Sequence, residues 1–286
     1  MEINDFLIYI QKTKRVSENT VSAYKQDLLA FKKFLRENKI MDFSQATNTQ
    51  VVAYLMELKS TGKSKATVNR KLASIRAFYR FLIKANRIKE NPTEGIKSPK
   101  ISRKGISFLS IEEIELLLGK PDDSIKGKRD RAMLELLYAT GIRVSEIIEL
   151  KVSDVNLTMG FVKCSGNHGR ARIVPMGIPA KNAVADYLEN SRPALVRDKE
   201  DSGESWLFVN YMGELFTRQG FWKILKQYGK AADLEEKLTP QTLRNSFAMH
   251  MVQNGIDMKS LQELMGHEDI IATQVYFEHM RKRIKD

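Results

Sequence analysis

At 286 residues and a formal net charge of +12, the chain is long enough for two domains with separate cores and basic enough to suit a polyanionic partner. No run of about eighteen apolar residues occurs, which excludes a membrane-spanning helix, and the single cysteine, Cys164, excludes an internal disulfide and fits a reducing cytosol. Only four scattered histidines argue against a Cys/His metal centre, and a start carrying Glu2 and Asp5 predicts no signal peptide, hence a cytoplasmic protein.

The excess of positive charge is confined to the first third. Residues 1–105 hold 22 Lys and Arg against 9 Asp and Glu, a balance of +13, whereas residues 106–286 hold 25 against 26. Such asymmetry points to nucleic acid, with a solvated lysine-rich face as the plain alternative.

This basic region reads as four helices. The first follows Asn4, with Phe6, Leu7 and Ile10 apolar, and Ser17 caps a second with the stripe Tyr24, Leu28, Phe31 and Leu35. A third runs from about Thr49 to Leu58, and the fourth from about Ser64 to Lys84 has the apolar face Val68, Leu72, Ile75, Tyr79 and Leu82. Beside that face Lys65, Asn69, Arg76 and Arg80 fall in one arc, a row suited to phosphates and base edges in a major groove. Residues 88–107, with two prolines, two glycines and several cations, read as a linker. Domains are thus expected over 1–87 and 108–286.

The second domain opens on a Ser110/Glu113 capping box. A helix from Lys128 to Tyr138 breaks at Gly141, Arg143 lies just past the break, and Ser145 is placed to cap the next helix, so Arg143 sits near an anion-favouring helix start. GFVKC and RARIVP flank a glycine-bounded turn and predict a β-hairpin. Thr239-Pro240 then starts a helix on which Leu243, Phe247 and Met251 recur at i, i+4 and i+8, and Gly255 ends it. Asp257 caps another, carrying Leu261 and Leu264 and stopped by Gly266; His267 follows at once, and Tyr276 nine residues later. Arg244 lies close to the apolar stripe, where its charge needs an anion. Either Glu263, Glu268 or Asp269 pairs with it, or Arg244, His267 and Tyr276 surround a phosphate.

LRNSFAMHMVQNGIDMKSLQELMGHEDIIATQVY, together with ATGIRVSEIIEL over Ala139–Leu150, resembles the tyrosine recombinase (phage integrase) family, closest to its Xer branch. The resemblance covers essentially the whole chain. It implies a mainly α fold: a four-helix, SAM-like core-binding domain that clamps DNA, then a mostly helical catalytic domain with a small antiparallel sheet, the DNA breaking-rejoining fold. It also implies a site-specific recombinase that cuts and rejoins strands through a 3′-phosphotyrosyl link with neither cofactor nor metal. Such a protein works on duplex DNA with an inverted-repeat site, as a homo- or hetero-tetramer, in chromosome dimer resolution or mobile-element transfer.

By that resemblance Arg143 and Arg244 clamp the phosphate, Glu146 supports Arg143, His267 donates a hydrogen bond and Tyr276 is the nucleophile. Two positions depart from the pattern. Where the family has a histidine three residues before the second arginine this chain has Gln241, which cannot shuttle a proton. Where the hairpin lysine protonates the leaving 5′ oxygen it has Asn167, with Lys163 or His168 as substitutes. Lys97, Lys100, Arg103 and Lys104 on the linker, and Arg170 and Arg172 on the hairpin, join the fourth helix as DNA-contact candidates. In the Xer branch the segment after the tyrosine packs into a neighbouring protomer; the basic Arg281-Lys282-Arg283 run also fits a disordered, DNA-contacting tail. Two rival readings stand beside a recombinase: a catalytically weakened DNA-binding relative, favoured by Asn167 and Gln241, and a type IB topoisomerase-like relaxase.

Overall fold

The computed structural model describes residues 2–14, 16–100, 105–165, 171–196 and 205–285. The chain divides into two units, Met1–Lys104 and Gly105–Asp286.

The first unit holds four helices: α1 (Glu2–Lys14), α2 (Glu18–Glu37), α3 (Asn48–Ser60) and α4 (Lys65–Lys84). Ser17 and Ser64 cap α2 and α4 by accepting from the backbone N–H groups of Thr20 and Thr67. Helix α3 begins earlier than the periodicity suggests, because Gln50 reaches back to the Thr47 backbone N–H at 2.8 Å and closes the first turn. The core is aromatic: Phe78 of α4 meets Phe6 and Phe43 edge-on, at centroid distances of 5.5 and 4.7 Å. A buried carboxylate, Asp27, is paired by Arg70 and Lys71.

The stretch expected to be a linker is strapped to this unit as far as Lys100. Ile88 and Ile96 pack against the aromatic core. The Asn69 amide donates to the Pro99 carbonyl at 2.9 Å, and Arg76 donates to the Ile96 carbonyl and the Ser98 hydroxyl. The Asn69 amide nitrogen and the Arg76 guanidinium are therefore engaged in holding the strap against α4 and do not stand free for base edges. Lys65, Arg80, Lys97 and Lys100 remain exposed, whereas Arg103 and Lys104 lie outside the described residues.

The second unit begins with α5 (Ile111–Leu118), closed by the reciprocal Ser110/Glu113 box, and α6 (Ile125–Thr140), which starts ahead of its expected position because Ser124 caps it. Gly141 ends α6 in the left-handed region at φ 57°. The next helix, α7 (Val144–Ile148), is capped at Arg143 and not at Ser145: the Glu146 carboxylate accepts from the Arg143 backbone N–H at 2.6 Å, which fixes where the first turn begins.

A three-stranded antiparallel sheet follows, β1 (Val155–Asn156), β2 (Phe161–Ser165) and β3 (Ala171–Pro175), in that spatial order. Cys164 faces Arg172 and Lys163 faces Ile173 across the β2–β3 pair. Three helices not anticipated from the sequence come next: α8 (Ile178–Asn190), which packs along α6, α9 (Arg192–Val196) and α10 (Arg218–Ala231). Last are α11 (Pro240–Gln253), α12 (Met258–Met265) and α13 (Ile271–Lys285). They enclose a smaller apolar cluster of Phe247, Met249, Leu261, Met265 and Tyr276. Phe277 and Met280 pack on it too, so the chain continues as helix beyond Tyr276 and is not a disordered tail. The fold is mainly helical with one small antiparallel sheet, as expected. Among the described residues no helix is long and apolar enough to cross a membrane.

Candidate active site

The centre of the site is the C-terminal end of α12. A helix leaves its last carbonyls without partners inside the helix, and the same end carries the negative pole of the macrodipole. Three consecutive carbonyls there each receive a different arginine. Leu264 accepts from Arg172 Nε at 2.8 Å, Met265 from Arg244 Nη2, and Gly266 from Arg143 Nη2 at 2.9 Å. Arg244 donates also to the carbonyl of Gly141, the left-handed end of α6. Two helix ends thus supply the acceptors.

Gly266 permits the gathering. It turns left-handed at φ 61°, and a Cβ there would stand 2.8 Å from the Arg172 guanidinium. Any larger residue would displace that arginine.

Arg244 is 6 % exposed, and its charge is held by carbonyls, not by carboxylates. The pairing with Glu263, Glu268 or Asp269 that its position suggested is absent: all three are exposed, and Arg244 turns inward. Burial, then the neighbouring Arg143 charge, pulls its pKa down to about 10, so it stays cationic at neutral pH.

At these arginines, Glu146 supplies a buried carboxylate. Arg172 grips it with a fork, Nη1 to Oε1 at 2.6 Å and Nη2 to Oε2 at 3.1 Å, while Arg143 adds its backbone N–H and, at 3.5 Å, its guanidinium. Burial alone would raise this carboxyl's pKa, but the Arg172 hydrogen bonds and the Arg143 N–H outweigh it and hold the group below its usual range. Arg172 is therefore no DNA-contacting surface residue. Strand alternation places it on the same sheet face as buried Cys164, turned toward Glu146.

Alternation excludes Lys163 for the same reason. It is exposed and projects from the opposite face of β2, away from the arginines, so it cannot take the hairpin lysine's place. Asn167, His168 and Arg170 lie outside the described residues.

The His267 ring lies parallel to that of Tyr276, with centroids 6.5 Å apart and planes 8° from parallel. Burial, followed by the charges of Arg244, Arg143 and Arg172, pushes its pKa down to about 4, so it is a neutral imidazole at pH 7. Its Nδ1 lies 2.8 Å from the hydroxyl of buried Thr273. Tyr276 is 4 % exposed; burial raises its pKa and Arg244 lowers it by less. The nearby cations thus do not suffice, in the protein alone, to favour the phenolate.

The Tyr276 hydroxyl donates to Asn245 Oδ1 at 3.0 Å, and Gln241 Nε2 donates to the same oxygen at 2.8 Å. The Asn245 amide nitrogen, in turn, is bound to the Ser107 carbonyl at 2.9 Å. Gln241 thereby reaches the tyrosine only through Asn245, a residue that sequence reasoning passed over beside Arg244. Arg143, Gln241 and Arg244 also line one open groove with Arg218 and Trp222, so the cations of the site face a surface that a polyanion can enter.

A model of the phage integrase family matches residues 107–283, and one of the phage integrase N-terminal SAM-like domain matches residues 3–86. The chain is 42% identical over 285 residues to tyrosine recombinase XerD of Oceanobacillus iheyensis, covering 99% of this chain and 95% of that one. To the tyrosine recombinase XerD of Staphylococcus epidermidis it is 41% identical over 284 residues, with the same coverage of 99% and 95%. Among solved structures, XerH site-specific recombinase bound to a palindromic difH substrate, a post-cleavage complex, aligns with a TM-score of 0.77 at 20% identity, over 99% of this chain and 83% of that one. The Tn1549 transposon integrase in complex with a circular intermediate DNA aligns with a TM-score of 0.75 at 20% identity, over 100% and 99%. At such identity these structures speak to the fold alone.

Proposed function

The chain belongs to the phage integrase family, and from that premise we propose that it is a cytoplasmic, XerD-like site-specific recombinase whose strand exchange runs through Tyr276. The observation that carries the site assignment is the convergence of Arg143 and Arg244 on the last carbonyls of α12, where the two line one open groove, with His267 directly after that helix end and Tyr276 stacked on it. The full-length likeness to XerD recombinases favours chromosome dimer resolution over mobile-element transfer. In this reading the protein acts on duplex DNA with an inverted-repeat site, as a tetramer of like or mixed protomers.

The chemistry follows from the geometry. A scissile phosphate enters beside Arg143 and Arg244, whose guanidiniums, already oriented by backbone carbonyls, neutralise charge growing on the non-bridging oxygens. Neutral His267 adds a hydrogen bond. Tyr276 Oη forms a bond to phosphorus as the bond to the 5′ oxygen breaks, and that oxygen takes up a proton. The ester exchange conserves one phosphodiester, so it needs no ATP, and a 5′ hydroxyl from the partner strand reverses it. Asn245 has no basic atom, so it holds the Tyr276 proton in place without removing it. Deprotonation therefore awaits the substrate: the phenol gives up its proton as its oxygen bonds to phosphorus, and the proton gained by the 5′ oxygen balances the one lost. Of the two residues weighed as donor to the leaving oxygen, Lys163 faces away and only His168 remains.

The test is covalent trapping on nicked suicide DNA carrying XerD-type recombination sites. Wild type is expected to form a slow-migrating protein–DNA adduct and Tyr276→Phe none. Firm binding with no adduct, even beside a partner recombinase, would turn the assignment toward a weakened DNA-binding relative. That second reading draws on Gln241 and on a tyrosine held as a phenol.

A further inference from the structure

The His267 imidazole is neutral at physiological pH, and a neutral imidazole carries its proton on one nitrogen only. Which nitrogen bears it decides whether the free edge of the ring donates or accepts. Nδ1 has one partner, the Thr273 hydroxyl at 2.8 Å, and among the described residues Nε2 has none. Thr273 is fully buried, and its Oγ1 has no other partner among the described residues.

Two arrangements are open to this pair. Were the proton on Nδ1, the threonine oxygen would accept it, and its own O–H would be stranded in a buried site with nothing to receive it, an arrangement that costs a full desolvation penalty. With the proton on Nε2, the Thr273 O–H donates to the bare Nδ1 lone pair, and both groups are satisfied. We infer that Thr273 is a positioning residue that fixes His267 as the Nε2–H tautomer, so that the open edge of the ring is a hydrogen-bond donor.

The local fold enforces this. Asp269 accepts from the Ile271 backbone N–H at 2.9 Å and sets the start of α13, and the first turn that follows brings the Thr273 hydroxyl to the Nδ1 edge of the ring. On the other side the His267 backbone N–H donates to the Gln262 carbonyl at 3.1 Å, so the residue is anchored at both ends. An Nε2 acceptor beside three arginines would repel a phosphate oxygen, whereas an Nε2–H donor adds to their effect. The catalytic consequence rests on the recombinase reading; the tautomer assignment does not.

The test uses the full chain with 15N-labelled histidine, the His267 signals being identified by their loss in His267→Gln. Two-bond 15N–1H correlation at neutral pH is expected to show the Nε2–H pattern for wild type and for Thr273→Ser, which keeps the hydroxyl. Thr273→Val, matched in shape, should lose that pattern and slow adduct formation on nicked DNA about tenfold, the size of one lost hydrogen bond; Thr273→Ser should retain the rate. An Nδ1–H pattern in wild type would overturn the inference, as would a Thr273→Val protein with unchanged pattern or unchanged rate. If wild type forms no adduct at all, the recombinase reading falls, and the tautomer pattern alone decides the role of Thr273.

Discussion

The two units use the same kind of side chain in opposite ways. In the first, most cations stand in solvent: Lys65, Arg80, Lys97 and Lys100 are exposed, and the unit's charge excess is visible in a count of residues. In the second, where acids and bases nearly cancel, Arg244 and Arg172 are buried or nearly so and are tied to carbonyls and to Glu146. A field spread over a surface attracts a polyanion from a distance and screens with salt. Charge held by backbone dipoles in a dry site acts on one bond at short range. Net charge predicts the first and says nothing of the second.

That contrast is open to experiment. The largest effect is expected at Glu146→Ala, which leaves the Arg172 guanidinium buried without its carboxylate. Urea unfolding should show a loss of about 3–5 kcal/mol, and a loss under 1 kcal/mol would mean that the α12 carbonyls alone hold the arginines. A smaller effect belongs to the first unit. Gln at Lys65, Arg80, Lys97 or Lys100 should lower the slope of log affinity against log salt by about 0.9 for each phosphate contact removed, read by fluorescence anisotropy on a duplex. Arg76→Gln, which frees the strap instead, should lower thermal stability and leave that slope nearly unchanged.

The contrast bears also on the pH dependence of stability. The His267 pKa is depressed from its ordinary 6.5 to about 4, so the unfolded chain takes up the proton first as pH falls. Its contribution is complete above about pH 6.5 and is lost as pH drops toward about 4. Tm measured across this window should fall, and His267→Gln should flatten the fall in part. His250, whose pKa burial also lowers, should keep the remaining slope. An identical profile in the variant would mean that His267 titrates normally.

Short motifs draw attention to Arg143, His267 and Arg244 (a glycine break before the first, another before the second, a helix start before the third), whereas Tyr276 and the roles of all four come from the family resemblance. The remainder depended on tertiary contacts that spacing does not carry. Asn245 looks like an exposed polar residue in a helix, and nothing local says that Tyr276, thirty-one positions on, donates to it. Arg172 misled because a cation in a basic hairpin suggests DNA; its pairing position opposite Cys164 was the signal that it points inward. Asn69 and Arg76 misled in the same manner, since a row of polar atoms beside an apolar stripe equally suits a strap of chain. Helix α10 was readable and overlooked, for Phe221, Leu225 and Tyr228 recur at helical spacing and are all buried.

The length of α12 acquires meaning from its carbonyls. Each residue added to or removed from an α-helix rotates whatever follows by about 100°. Because Leu264, Met265 and Gly266 hold three arginines from three different elements, a single insertion between Leu261 and Leu264 would turn every acceptor away together.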